Sequence, residues 1–219
     1  MAPEEFAWFA GSVDEERSVS GGAAPACYVD LYWIPLGAGS HVVRLSGKAY
    51  EAIAARVQGR PARDLYHSAL IAQAPEGRYT IEQTPVIDHQ GADRGVAVEG
   101  PVGMRLAGRF RLFRYEVRCW RNGVIPDIAD AVGEPVRVTE EPARASRLVR
   151  LVPAVPTLVW GRDERRTGEM WNSNSVVAWL LVCAGIDVTG VEPPPGGRAP
   201  GWRAGLAVAG RDPTGAKRA

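Results

Sequence analysis

The feature that most constrains the fold is the stretch from Ser175 to Ala184, which is apolar on every face. A surface helix normally keeps a polar face toward solvent, so a helix without one has to be buried all round. Gly185 follows, and glycine commonly ends a helix because it adopts the left-handed backbone conformation without strain. The sequence therefore predicts a central helix with other elements packed around it.

Strand-like runs supply elements that can surround this helix. Tyr66 to Ala72 and Arg78 to Val86 are joined by the turn sequence Pro75-Glu76-Gly77, and together they predict a β-hairpin. Further strands are predicted at Tyr28 to Ile34 and between Val96 and Trp120 from their aromatic and β-branched content.

Further helices are predicted on both sides of the strand-rich region. Between Ser46 and Gln58 apolar residues recur with helical spacing before Gly59 stops the pattern. A second helix is expected from Ala143 to Leu151, ending before Pro153. Asp127 to Val132 is a candidate for a short helix.

The length of 219 residues favours one domain with embellishments over two domains. Residues 1–25 are rich in Gly, Ser, Ala and acidic residues, which predicts a loosely ordered N-terminal arm. The run Pro193-Pro194-Pro195-Gly196-Gly197 and the basic end predict a linker and tail over residues 191–219, anchored by Trp202. The folded domain is then expected at residues 26–190.

Charge and composition exclude several classes of function. Lys and Arg total 26 against 25 Asp and Glu, so the net charge of +1 is too small for a surface field that would hold nucleic acid, and nucleic acid is not an expected partner. The longest apolar run, Val176 to Ile186, is shorter than the roughly 20 residues of a membrane span, and no span is predicted. The N-terminus lacks the basic start and apolar stretch of a secretory signal, which favours a cytoplasmic protein.

No cofactor or metal is predicted. The three histidines show no metal-ligand spacing, and the three cysteines lie far apart without a Cys-x-x-Cys pair. The oligomeric state is left open by the sequence.

Four polar residues, Asn172-Ser173-Asn174-Ser175, stand at the start of the predicted central helix. Unpaired backbone N–H groups and the positive end of the helix dipole stabilise negative charge there, which favours a nucleophile and part of an oxyanion hole. His67, in the first strand of the hairpin, is a candidate base for that nucleophile. The same Asn and Ser residues are also ordinary helix caps, and a histidine in a half-buried strand is often structural, so both interpretations stay open.

Three segments resemble the circularly permuted branch of the NlpC-like, papain-fold superfamily, which includes relatives of lecithin retinol acyltransferase. Tyr66-His67-Ser68-Ala69-Leu70-Ile71 resembles the histidine strand of that branch, and Tyr79-Thr80-Ile81-Glu82 resembles the strand that follows. Asn172-Ser173-Asn174-Ser175 and the apolar residues after it resemble the start of the nucleophile helix. The resemblance spans about residues 28–186 and implies an α+β, permuted papain-like fold with a small antiparallel sheet packed on a buried central helix.

The family carries a catalytic cysteine at the position of Ser173, and a serine hydroxyl has no comparable ionised population at neutral pH. Serine does act with a histidine and a carboxylate on unrelated folds. The resemblance therefore implies a hydrolase or acyltransferase acting on an amide, ester or thioester of a small molecule or peptide, with Ser173 as nucleophile, His67 as base and Glu82 as orienting residue. The alternative is a catalytically inactive member that binds a peptide or acyl ligand in the same cleft.

Further residues are candidates for binding the ligand or for orienting His67 in this predicted site. Residues expected to bind the ligand flank the nucleophile and the histidine: Tyr66, Trp171, Asn172 and Asn174. With a hairpin tip at Glu76-Gly77, Glu82 shares a face with His67 but lies roughly 13 Å along the strand from it. Gln83 and Thr84 therefore remain alternatives for the orienting residue.

Overall fold

The computed structural model describes residues 26–37, 51, 55–56, 59–86 and 95–211. Within them six strands form one antiparallel sheet of order β4-β5-β3-β2-β1-β6. The strands are β1 (Tyr28–Pro35), β2 (Tyr66–Ala74), β3 (Gly77–Pro85), β4 (Val96–Pro101), β5 (Arg114–Arg121) and β6 (Val136–Thr139). The α-helices are α1 (Pro142–Leu151), α2 (Ser173–Cys183) and α3 (Trp202–Arg211). The described chain is therefore α+β with an antiparallel sheet, as predicted.

Two predicted segments fall wholly or largely outside the described residues. The N-terminal arm at residues 1–25 lies outside them. Of the predicted helix from Ser46 to Gln58, only Glu51, Ala55 and Arg56 are described, and all three are helical.

The predicted hairpin is formed by β2 and β3, but its turn differs by one residue from the expected tip. Ala74 pairs with Gly77, so Pro75 and Glu76 form the tip, and Leu70 pairs with Ile81. Continuing that register places Glu82 across from Ala69. Glu82 is therefore two residues nearer to His67 than the sequence-based register predicted.

Helix α2 is the central helix that the sequence predicts. Val176, Trp179 and Leu180 are each at most 1% exposed. Strands β2 and β3 cover one side of the helix, and α1 and α3 contact it from other directions. Because the neighbours surround the helix, it needs no polar face.

The segment predicted to be a linker and tail is part of the fold as far as Arg211, which corrects the boundary drawn at residue 190. Val191 and Ala199 pack against the main core, and α3 lies against α2. The Trp202 ring meets the ring of Trp33 with centroids 5.3 Å apart, so Trp202 is the anchor that the sequence indicated. The proline and glycine run forms turns that lead the chain to α3.

The two faces of the sheet carry different side chains, since neighbouring residues of a strand point to opposite faces. On the inner face, which carries α2, Tyr66 and Leu70 join the main core. On the outer face, Ala69 and Ile71 form a second, smaller cluster with Ile34 and Ile125.

Candidate functional site

The start of α2 is capped by its own polar residues. The Asn172 Oδ1 accepts hydrogen bonds from the backbone N–H groups of Asn174 (3.0 Å) and Ser175 (3.3 Å). In return the Ser175 hydroxyl oxygen accepts the backbone N–H of Asn172 at 3.1 Å. This reciprocal arrangement satisfies donors that a helix start leaves unpaired, so the structure supports the capping interpretation of these residues.

The same side chains fasten the C-terminal segment to the helix. The amide nitrogens of Asn172 and Asn174 both donate to the Pro200 carbonyl, at 2.8 and 2.9 Å, and the Ser175 hydroxyl donates to the Gly201 carbonyl at 2.7 Å. Asn172 and Asn174, which the sequence predicted as ligand-binding residues, therefore use their side-chain polar atoms in hydrogen bonds within the protein.

Asn174 also joins α2 to strand β2. Its amide nitrogen donates to the Tyr66 carbonyl at 2.9 Å, and its oxygen accepts the Ser68 hydroxyl at 2.9 Å. The side chain of β2 that reaches the helix start is therefore Ser68, and not its neighbour His67.

Tyr66 and Trp171, the other predicted ligand-binding residues, are packing residues. Both are buried in the main core. Gly197 lies so close to the Tyr66 ring that a Cβ added at Gly197 would be 2.3 Å from a ring carbon. Neither side chain presents a free surface to a ligand.

Ser173 begins α2 and is 6% exposed. Among the described residues, no hydrogen bond is formed by its hydroxyl. Gln83 is directed to the same sheet face, since it pairs with Val117 of the main core, and it lies at the end of β3 nearest the helix start. Both polar atoms of its buried amide lack a hydrogen-bond partner. Near the helix start, Ser173, Gln83 and the Trp171 Nε1 atom thus have side-chain polar atoms that form no hydrogen bond among the described residues.

His67 lies on the outer face of the sheet, away from Ser173. Its Nε2 atom lies 3.1 Å from Oδ2 of Asp127, in the segment that leads from β5 to β6. The sheet separates the two residues that the sequence predicted as nucleophile and base, so the predicted Ser173–His67 pair is not formed. The cause is the strand alternation, which turns Ser68 toward the helix and His67 away from it.

Glu82 shares the outer face with His67, as the sequence predicted, but its partner is an arginine. The Arg118 guanidinium donates to Glu82 Oε1 at 3.1 Å and to Glu116 Oε1 at 2.5 Å. Burial raises the pKa of Glu82, and the positive charge of Arg118 opposes that rise. His67 and Asp127 are close enough to act on the Glu82 charge, the first lowering and the second raising its pKa.

These residues form one polar group on the outer face, which we call the outer-face cluster: His67, Glu82, Glu116, Arg118 and Asp127. Of the two alternatives to Glu82, Thr84 lies on this face, where it pairs with Glu116, whereas Gln83 lies on the inner face. Sequence reasoning missed Asp127, Arg118 and Glu116. The pairing of β3 with β5 brings Arg118 across from Glu82, and no local pattern in the sequence specifies that pairing.

The arrangement places a histidine with an oriented ring on the same sheet face as Glu82, a partly buried carboxyl group of raised pKa. The described residues include no group of three or more His, Cys, Asp or Glu placed to hold a metal ion. None of the described helices is long and apolar enough to cross a membrane.

Comparison with known proteins finds no family model, no curated protein and no solved structure that matches this chain. The functional argument therefore depends on the geometry of the side chains themselves.

Proposed function

We propose that this chain is a permuted papain-like protein that binds a peptide or acyl ligand and does not cleave it through Ser173. The observation that carries the proposal is the position of His67. A general base has to come within about 3 Å of the hydroxyl it deprotonates, directly or through one water. His67 is held by Asp127 on the opposite sheet face from Ser173.

The ligand site that we assign is the outer-face cluster. The side chain of His67 is 22% exposed and that of Asp127 is 18% exposed, so both are reachable from solvent. With Nε2 held by Asp127, the His67 Nδ1 atom remains to bond an amide or carboxyl group. Glu82 adds a carboxyl group whose pKa is raised by burial and whose Oε1 atom is held by the Arg118 guanidinium at 3.1 Å.

A second candidate function keeps hydrolysis but moves it to the outer face. The contact between His67 and Asp127 is the arrangement by which a carboxylate orients an imidazole as a general base. In this candidate His67 takes a proton from a water molecule that attacks an ester or amide carbonyl. The C–O or C–N bond then breaks, the leaving alcohol or amine takes the proton back from His67, and Ser173 takes no part.

Hydrolysis of p-nitrophenyl acetate by the wild type, Ser173→Ala, His67→Ala and Asp127→Asn distinguishes these candidates. The proposal expects no hydrolysis above background in any of the four proteins and no fluorophosphonate adduct on Ser173 by mass spectrometry. Hydrolysis that is lost in His67→Ala and Asp127→Asn but kept in Ser173→Ala would support the second candidate. An adduct on Ser173 that disappears in His67→Ala would overturn both.

Binding is tested by NMR of histidine side chains during titration with two probes, octanoate and N-acetyl-trialanine. We expect the His67 ring signals, assigned by their loss in His67→Ala, to shift with at least one probe. Glu82→Gln should weaken that binding, whereas Glu140→Gln, at a largely exposed carboxylate elsewhere, should leave it unchanged. The absence of any shift at His67 with both probes would contradict the assigned ligand site.

A further inference from the structure

The loop between β4 and β5 exposes an unusual number of apolar side chains. Nine large apolar side chains are exposed in the described part of the chain, and five of them fall in this one loop. They are 45 to 81% exposed: Met104, Leu106, Phe110, Leu112 and Phe113. Scattered exposed apolar residues are normal on a protein surface, but five of them within residues 104–113 indicate an interaction site.

Arginines alternate with these apolar residues. The sequence from Met104 to Arg114 contains Arg105, Arg109, Arg111 and Arg114 and no acidic residue. We call this segment, Met104 to Arg114, the apolar-basic loop. Because the whole chain carries a net charge of only +1, the positive charge of this loop is a local feature.

A groove of about 500 Å³ runs beside the loop. Three arginines of the loop, Arg105, Arg109 and Arg114, line it together with Glu99 and Thr157. Glu99 accepts a hydrogen bond from Arg114 at 3.2 Å, and Arg105 is held by Glu164 through bonds of 2.7 and 3.0 Å. Two of the three guanidinium groups that line the groove are therefore held in place by glutamates.

The loop is held in shape before any partner arrives. It consists of two short 3-10 turns, Arg105–Arg109 and Arg111–Phe113. At its base Val102 donates to the Phe113 carbonyl at 2.8 Å, and Gly103 donates to the Trp160 carbonyl at 2.9 Å. A loop ordered in this way loses little conformational entropy on binding.

We propose that the apolar-basic loop docks on a bilayer surface that contains anionic phospholipids. The apolar side chains project from turns that connect two strands, a shape that suits the boundary between headgroups and acyl chains. The arginines bind lipid phosphates at the same depth, since their long side chains reach the headgroups while their stems stay in apolar surroundings. Nucleic acid fits less well, because only Phe110 and Phe113 among the five exposed apolar side chains offer a ring on which a base can stack.

Cosedimentation of the full chain with vesicles tests this proposal. We expect binding to vesicles of phosphatidylcholine mixed with phosphatidylglycerol, weaker binding at high NaCl, and little binding to phosphatidylcholine alone. The double variant Phe110→Ser with Leu112→Ser should lower the partition coefficient by about tenfold or more, since two apolar side chains no longer enter the interface. Arg109→Glu should lower it severalfold on anionic vesicles.

Matched variants elsewhere on the surface serve as controls. Val124→Ser with Val132→Ser removes two other exposed apolar side chains, and Arg203→Glu makes the same charge change as Arg109→Glu at an exposed site on α3. Both should bind vesicles like the wild type, and thermal unfolding of each variant checks that the fold is kept. Binding of the loop variants at control levels would overturn the proposal. Absence of binding to anionic vesicles would also overturn the proposal, whether or not the wild type forms a dimer that dissociates in the double variant.

Discussion

Glu51 and Glu82 show how the number of hydrogen-bond donors affects the pKa of a carboxyl group. Glu51 accepts from Arg60 at 2.5 Å, from the Arg63 backbone N–H at 3.0 Å and from Arg198 at 3.1 Å. The Arg60 bond makes the largest contribution to a lowered pKa of Glu51, although burial acts in the opposite direction. Glu82 has a bond only from Arg118 among the described residues, and burial raises its pKa.

Glutamine substitutions at these two positions should therefore change the pH dependence of stability in opposite directions. Glu51→Gln should cost about 2 kcal/mol of unfolding free energy at neutral pH. Because the folded state lowers the pKa of Glu51, that loss should vanish as the pH falls below about 4.5 and through the folded pKa. Urea unfolding over a range of pH measures the difference between variant and wild type.

For Glu82 the folded state raises the pKa, so the wild type binds a proton more tightly when folded. The unfolding free energy of the wild type, compared with that of Glu82→Gln, should accordingly decrease as the pH rises from below about 4.5 through the pKa that Glu82 has in the folded state. The same urea series tests this. Parallel pH profiles for the two variants would contradict the roles given to Arg60 and Arg118.

At the scale of elements, the start of α2 combines a cap with a tertiary anchor. Asn172 caps two backbone donors and also bonds the Pro200 carbonyl. Asn172→Ala should lower the unfolding free energy by about 2 kcal/mol, because it loses both functions. Ser173→Ala is the matched control, and its effect should stay within about 0.5 kcal/mol, since its hydroxyl bonds no other described residue. An equal loss in both variants by urea unfolding would mean that the Ser173 hydroxyl has a structural role.

The central helix and the hairpin could be predicted from the sequence, whereas β6, α3 and the way the elements face one another could not. The continuous apolar run identified α2, and the turn at residues 75–77 identified the β2–β3 hairpin. Alternation along β2 shows that His67 and Ser68 point to opposite faces, but it does not say which of them meets the helix. That choice depends on the contact of Asn174 with Ser68, between residues 106 positions apart in the chain.

At the scale of the whole molecule, the C-terminal segment completes the packing of the central helix. Its proline and glycine run looks like a linker, because small and turn-forming residues carry no apolar periodicity. In the structure small residues allow α3 to pack closely against α2. Gly205 of α3 lies so near α2 that a Cβ added there would be 2.2 Å from the Ser175 carbonyl oxygen. An Ala at that position would force the helices apart.

Gly205→Ala should therefore lower the unfolding free energy by about 1 to 3 kcal/mol, as overpacking of a close helix contact does. For Gly210, on the same helix, no atom of the described residues outside the helix's own backbone lies within 4 Å of an added Cβ. Gly210→Ala should raise stability by up to about 1 kcal/mol, because alanine restricts the unfolded chain and favours the helix. Urea unfolding of both variants compares the same chemical change at two sites of one helix. Stabilisation by both substitutions would mean that α3 does not dock on α2, and that residues 191–211 belong to the linker and tail that the sequence predicts.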